Sequence, residues 1–168
     1  QKKMINNFFL KIFPFFFVFF FIYFEFSPVY FFENELVKPF LSITVIYSWI
    51  HHDNQKFRPI WLLIFGLFYD ILLDGIVGIT SLFFLMIYHF QRKQSGNLLS
   101  FDLKEMWLRF VVFLTSYLVV AYLINSFGAD FNLNFKKVFI SFLLTLLFFP
   151  LFFIFIEKIT YRFRSFDD

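Results

Sequence analysis

The sequence predicts an all-α, polytopic integral membrane helical bundle of about six transmembrane helices, with five as the nearest alternative. Three observations predict it. Hydrophobic residues make up 60% of the 168 positions and the mean hydropathy is +0.74, whereas ordinary globular domains are about 45–50% apolar. Long apolar runs alternate with short polar segments along the whole chain, the pattern of successive helices crossing hydrocarbon. Lys and Arg gather on alternate polar segments rather than on all of them, as they do when the cytoplasmic side retains the positive charge. The 35 phenylalanines suit this setting, because Phe partitions favourably into lipid. One domain, residues 1–168, is expected from the length.

Composition also excludes function classes. There is no cysteine, so disulfides, thiolate nucleophiles and Cys-ligated metals are out of reach. The net charge of +3 is small, and no basic run of the kind that grips nucleic acid is present.

The elements are justified in order. Span one runs from about Phe8 to Phe24, with Pro14 placed early, where a helix tolerates proline best. Lys2, Lys3 and Lys11 form a basic front like that of a signal peptide, but no small-residue cleavage site follows, so the run reads as a retained anchor. The segment from Glu25 to Lys38 reads as an interfacial loop, with Glu25, Glu33 and Glu35 among aromatics. Span two runs from about Leu36 to Ile50, with Pro39 in its first turn and Tyr47 and Trp49 near its far end. His51 to Lys56 reads as a polar loop. Span three runs from Phe57 to about Leu72 and span four from Ile76 to Phe90, with only Leu73, Asp74 and Gly75 between them. A solvated segment, Gln91 to Glu105, leads to span five, from about Met106 to Phe127. Span six runs from Val138 to Ile156 and contains Pro150, and a charged tail follows. Spans two, three and four are short: about 15 residues at about 1.5 Å each reach about 22 Å, against roughly 30 Å of hydrocarbon.

The stretch Arg58–Phe90 carries the chemistry. An acid at the centre of a membrane helix costs about 2.5–3.5 kcal/mol on insertion scales, so it needs cover. Gly66, Asp70 and Asp74 recur at every fourth position, which puts them on one face if the helix continues through them. Small residues on such a face admit a close neighbouring helix. The spacing thus predicts an inward-facing hairpin around which the other spans gather. Gly66 and Gly78 read as packing positions, Asp74-Gly75 as a turn, and Arg58-Pro59 as an interfacial anchor with a helix start. Asp70 has two readings: an anchor for a neighbouring or partner helix, or a tie within this bundle.

With six spans, one side of the membrane holds most of the Lys and Arg residues, and the other holds only Lys38, Lys136 and Lys137. Both termini are therefore expected in the cytoplasm.

The same residues carry a family resemblance. Arg58-Pro59, Phe65-Gly66-Leu67, Asp70-Ile71-Leu72, Gly75 and Gly78-Ile79, followed by Tyr88, resemble the central signature of the rod shape-determining membrane protein MreD, and Lys38-Pro39 with Tyr47 and Trp49 resemble that family's second span. The resemblance covers nearly the whole chain. It implies a bacterial inner-membrane protein without known catalysis or cofactor. Its implied partner is MreC and, through it, the cytoskeletal protein MreB, RodA and a penicillin-binding protein that build side-wall peptidoglycan. It also implies a bundle similar to the substrate-binding subunits of some vitamin transporters, so a small-molecule or lipid-binding subunit is the alternative function. Two departures stand out: Val77 where the family often has proline, and the acid Asp74 inside the turn.

Other chemistries are weak. Asp70 and Asp130 faintly echo the paired aspartates of intramembrane proteases, but Asp130 falls in a polar segment, and such a dyad needs two close carboxylates in a dry site. His51-His52-Asp53 lacks metal-ligand spacing. Lys104, Glu105 and Arg109 read best as basic flanking of span five at the headgroups.

Overall fold

The computed structural model describes residues 2–27, 30–31, 34–35, 37–52, 58–74, 76–94, 103–126 and 135–164. Among them six helices follow in order: α1 (Lys2–Phe26), α2 (Leu41–His52), α3 (Pro59–Leu72), α4 (Ile79–Gln94), α5 (Leu103–Ser126) and α6 (Phe135–Arg164). Between α1 and α2, in the segment expected as plain loop, β1 (Tyr30–Phe31) pairs antiparallel with β2 (Asn34–Glu35).

The helix at the centre is α2. It packs against α1, α4 and α6, and every residue from Leu41 to Ile50 is buried. A helix that is apolar nearly all round belongs in an interior. Two of its small hydroxyls find acceptors on the backbone itself. Thr44 Oγ1 donates to the Phe40 carbonyl at 3.2 Å and Ser48 Oγ to the Thr44 carbonyl at 2.8 Å, so each satisfies itself one turn back. Around α2 the core is aromatic. Tyr47 meets Phe110 and Phe149 edge-on at 5.2 and 5.8 Å, and Phe110 stacks on Phe149 at 4.2 Å, geometries that suit the ring quadrupoles.

This corrects one expectation. The α3–α4 hairpin is closely packed, but it is not the hub: the side chains of Ile60, Ile64, Phe68 and Ile71 point outward from α3. The hub is the 12-residue α2, whose shortness of about 18 Å reflects enclosure by longer helices.

Helix ends also differ from the expected spans. α1 begins at Lys2, so Pro14 lies inside it rather than in its first turn. α2 starts after Pro39 and carries His51 and His52 as its last turn. There His52 packs on Phe153 at 4.7 Å between ring centroids, so these histidines are half-buried rather than looped into solvent. α4 starts at Ile79, three residues later than expected, and runs through Gln91 to Gln94. Gln91 is buried, with its amide donating to the Tyr47 carbonyl at 3.4 Å, although it was expected in solvent. α6 continues through the expected tail to Arg164. The expected turn residues Gly75 and Ser95-Gly96-Asn97 and the loop residues Asp53–Lys56 lie outside the described residues, as does most of the polar loop expected from Gly128 to Lys137, of which Phe135 to Lys137 instead open α6.

Among the described residues, two helices are long and apolar enough to cross a membrane, over Leu103–Ile124 and Phe135–Tyr161, and shorter apolar helices cover Ile12–Phe26 and Pro59–Leu72. On α6 the side chains of Phe139, Leu143, Leu147, Leu151 and Ile154 are exposed at helical spacing. An apolar stripe of that length suits lipid and would be an aggregation liability in water.

Candidate functional site

The head of the α3–α4 hairpin is built by close approach and then by a carboxylate. Gly66 sits where α3 crosses α4. A Cβ placed there would lie 2.5 Å from the Ser81 amide nitrogen and overlap its Cα. The bare glycine lets the two backbones meet, and Ser81 Oγ then donates to the Leu63 carbonyl across the crossing at 3.1 Å. α3 ends at Leu72, and Asp74 takes a left-handed conformation, φ 53°, which Asp tolerates better than most residues. Gly78, at φ 110°, turns the chain into α4, a conformation open in practice to glycine alone.

Asp70 locks this turn. Its carboxylate is 2% exposed and accepts the Gly78 N–H at 2.7 Å and the Thr80 N–H at 3.2 Å. These are among the amides at the start of α4 that no carbonyl within the helix satisfies. The acid thus acts as a remote N-cap, with the added attraction of a helix N-terminus for negative charge. Thr80 Oγ1 in turn hydrogen-bonds the Tyr117 hydroxyl at 3.0 Å, which ties α4 to α5.

A second acid, half-buried, lies at the same end of the bundle. Glu25, near the end of α1, accepts from the Ser42 amide at 3.1 Å, from the Ser42 hydroxyl, and from the Tyr69 hydroxyl at 2.6 Å. One carboxylate therefore joins α1, α2 and α3. Lys38 Nζ donates to the carbonyls of Phe24 and Glu25 at 3.1 and 3.3 Å, as a cation does at a helix C-terminus. The Phe40 N–H, just ahead of α2, donates to Thr145 Oγ1 at 2.8 Å, and that hydroxyl donates to the Ser141 carbonyl at 2.6 Å. Asp70, Glu25 and Thr145, with the Thr80–Tyr117 bond, thus place polar ties among the six described helices.

Replacing Glu25 by leucine is expected to leave the Ser42 N–H and the Tyr69 hydroxyl without an acceptor, at about 1–3 kcal/mol each. The thermal midpoint in detergent should fall by about 5–15 °C, while Glu25→Gln, which keeps an acceptor, falls much less. Equal midpoints for the two variants would contradict this role.

The sequence-derived candidates fare differently. Gly66 and Asp70 meet in the hairpin, and Gly78 joins them through its amide. Asp74 does not share their stripe: it lies past the helix end and is exposed. Arg58 stands at the N-cap of α3 with Pro59 at its first turn, and the Arg58 side chain makes no capping hydrogen bond. Glu25 was placed in an interfacial loop by sequence. The available signal was its position directly against an apolar run, the same feature that drew attention to Asp70. No group of three or more His, Asp or Glu side chains that could hold a metal occurs among the described residues, and Asp130 lies outside them.

A family model for the rod shape-determining protein MreD matches residues 2–159. The chain belongs to the MreD family. No curated protein and no solved structure matches it. The match takes in the hairpin and the two acids, so the MreD region includes Glu25 as well as Asp70. Of the two positions noted as departures, Val77 is exposed in the turn before Gly78, and Asp74 occupies a backbone conformation that suits it. MreD is a family of shape-determining membrane proteins, and the two long apolar helices agree with a membrane setting.

Proposed function

We propose that this chain is a non-enzymatic, six-span scaffold subunit of the bacterial inner membrane, a single domain over residues 1–168 with both termini in the cytoplasm. It holds rod shape by binding MreC and, through it, MreB, RodA and a penicillin-binding protein. One observation supports this most. The half-buried Glu25 and the buried Asp70 direct their acceptors at this chain's own amides and hydroxyls, an arrangement that stiffens a bundle rather than attacking a substrate. Its outward faces are apolar and aromatic, the surface on which another transmembrane helix packs.

Two measurements test this. Single cysteines at Ser95 and Asn34 should label from opposite sides of intact cells, and labelling of both from outside would break the topology. Site-specific crosslinking from α3 to α6 in native membranes should capture MreC, and depletion should round the cells. Rod-shaped depleted cells would refute the function while leaving the fold intact.

A second reading, a small-molecule or lipid-binding subunit, is favoured by a groove of about 570 Å³ at the end of the bundle that holds Asp74. The hydroxyls of Tyr69, Tyr117 and Thr115 at this groove are all engaged within the chain. The convergent free polar groups of a solute site are therefore sparse.

A further inference from the structure

We infer that this groove seats one glycerophospholipid with an ammonium headgroup, its acyl chain lying between α5 and α6 and its ammonium at Asp74. This stands on the groove alone and holds whether or not MreC binds elsewhere. Apolar side chains form the walls: Leu118, Ala121, Val138, Phe139 and Phe142. At the rim Tyr122 and Phe135 approach ring to ring at 5.3 Å.

Size separates a lipid chain from a helix. The volume falls within the roughly 300–1,000 Å³ of sites that enclose small ligands. A helix about 10 Å across would exhaust it in about 7 Å, little more than one turn.

Charge selects the headgroup. Asp74 is exposed at the groove, and its carboxylate makes no hydrogen bond or ion pair among the described residues. The Tyr69, Tyr117 and Thr115 hydroxyls are already in use and that of Tyr122 is neutral, so Asp74 is the one charged group in the lining, and it calls for a cation. Asp74 and Phe135 line the same groove, and exposed Lys136 follows Phe135 on the first turn of α6. Lys136 is not itself in the lining, so the charge that the slot presents is negative. That charge complements an ammonium headgroup, and a charge-assisted pair of this kind is about twice as strong as a neutral one.

The test uses the full chain, purified in detergent and offered equal phosphatidylethanolamine and phosphatidylglycerol, with bound lipid read by native mass spectrometry. One phosphatidylethanolamine per chain should be retained, with a preference of about tenfold or more over phosphatidylglycerol. Asp74→Asn keeps a residue that tolerates the left-handed backbone and should abolish that preference. Ala121→Trp fills the slot and should remove both lipids, while an unchanged thermal midpoint in either variant confirms its fold. Equal retention of the two lipids by the unaltered chain would overturn the inference. Retention unaffected by Ala121→Trp would overturn it too, as would a photocrosslinker at Phe139 capturing a protein instead of lipid in native membranes.

Discussion

Replacing Gly66 by leucine is expected to prevent the chain from accumulating in the membrane, and replacing it by alanine to lower its thermal midpoint. The reason is backbone, not side-chain, crowding. Even the single methyl of alanine would lie 2.5 Å from the Ser81 amide nitrogen, and main-chain atoms cannot rotate aside. The two helices must move apart, and the bond from Ser81 Oγ to the Leu63 carbonyl lengthens with them. Alanine brings back up to about 1 kcal/mol of helix propensity relative to glycine, whereas overpacking costs about 1–3 kcal/mol. The steric term wins, by a margin of about 1–2 kcal/mol for alanine, or about 2–8 °C in a chain of this size. Leucine adds three further carbons to a space that already refuses one. Removing the Ser81 side chain in the Gly66→Ala background should recover only part of the loss, since the Cα and N contacts stay. Full recovery would show that the hydroxyl, not the backbone, sets the spacing. Membrane level by immunoblot and thermal unfolding in detergent read both effects.

Why some of this was legible in sequence and some was not follows from what each signal measures. Hydropathy marks the apolar part of each run, so it located the six described helices yet missed their hydrogen-bonded ends. α1 runs back to Lys2 and α6 on to Arg164, because charged residues flanking an apolar run do not stop a helix. The every-fourth-residue argument held for Gly66 and Asp70, which share α3. It failed for Asp74, because α3 stops at Leu72 and the chain reverses through φ 53°. The spacing rule applies only while the helix lasts. The cost of burying an acid correctly drew attention to Asp70. The same cost applied to Glu25, but its partners lie 17 and 44 positions away, and one sequence holds no trace of such a pairing. The central place of α2 was hidden for a related reason. Enclosure on every side is a property of neighbours, and α2's own apolar run resembles one that faces lipid.

Asp70 provides the other large effect. Asp70→Leu is expected to strip the acceptor from two amides at the entry to α4, those of Gly78 and Thr80. An N-cap contributes about 0.5–2 kcal/mol, and hydrogen bonds to a charged group about 1.5–3 kcal/mol each. The combined loss is about 3–5 kcal/mol, a large part of the roughly 5–15 kcal/mol that holds a domain folded. The damage should also spread, since Thr80 carries the bond to Tyr117 and so the α4–α5 seam. Asp70→Asn keeps one carbonyl oxygen for the closer amide and gives up the charge, so its loss should be about half as large. The order Asp, Asn, Leu in membrane level and thermal midpoint is the expected result. A partner anchor would behave differently: Asp70→Leu would then leave the amount and stability of the chain unchanged and lower only the capture of MreC. The geometry argues for the first outcome, because both carboxylate oxygens face this chain's own turn, at 2% exposure, and such an acid has little left to offer a neighbour.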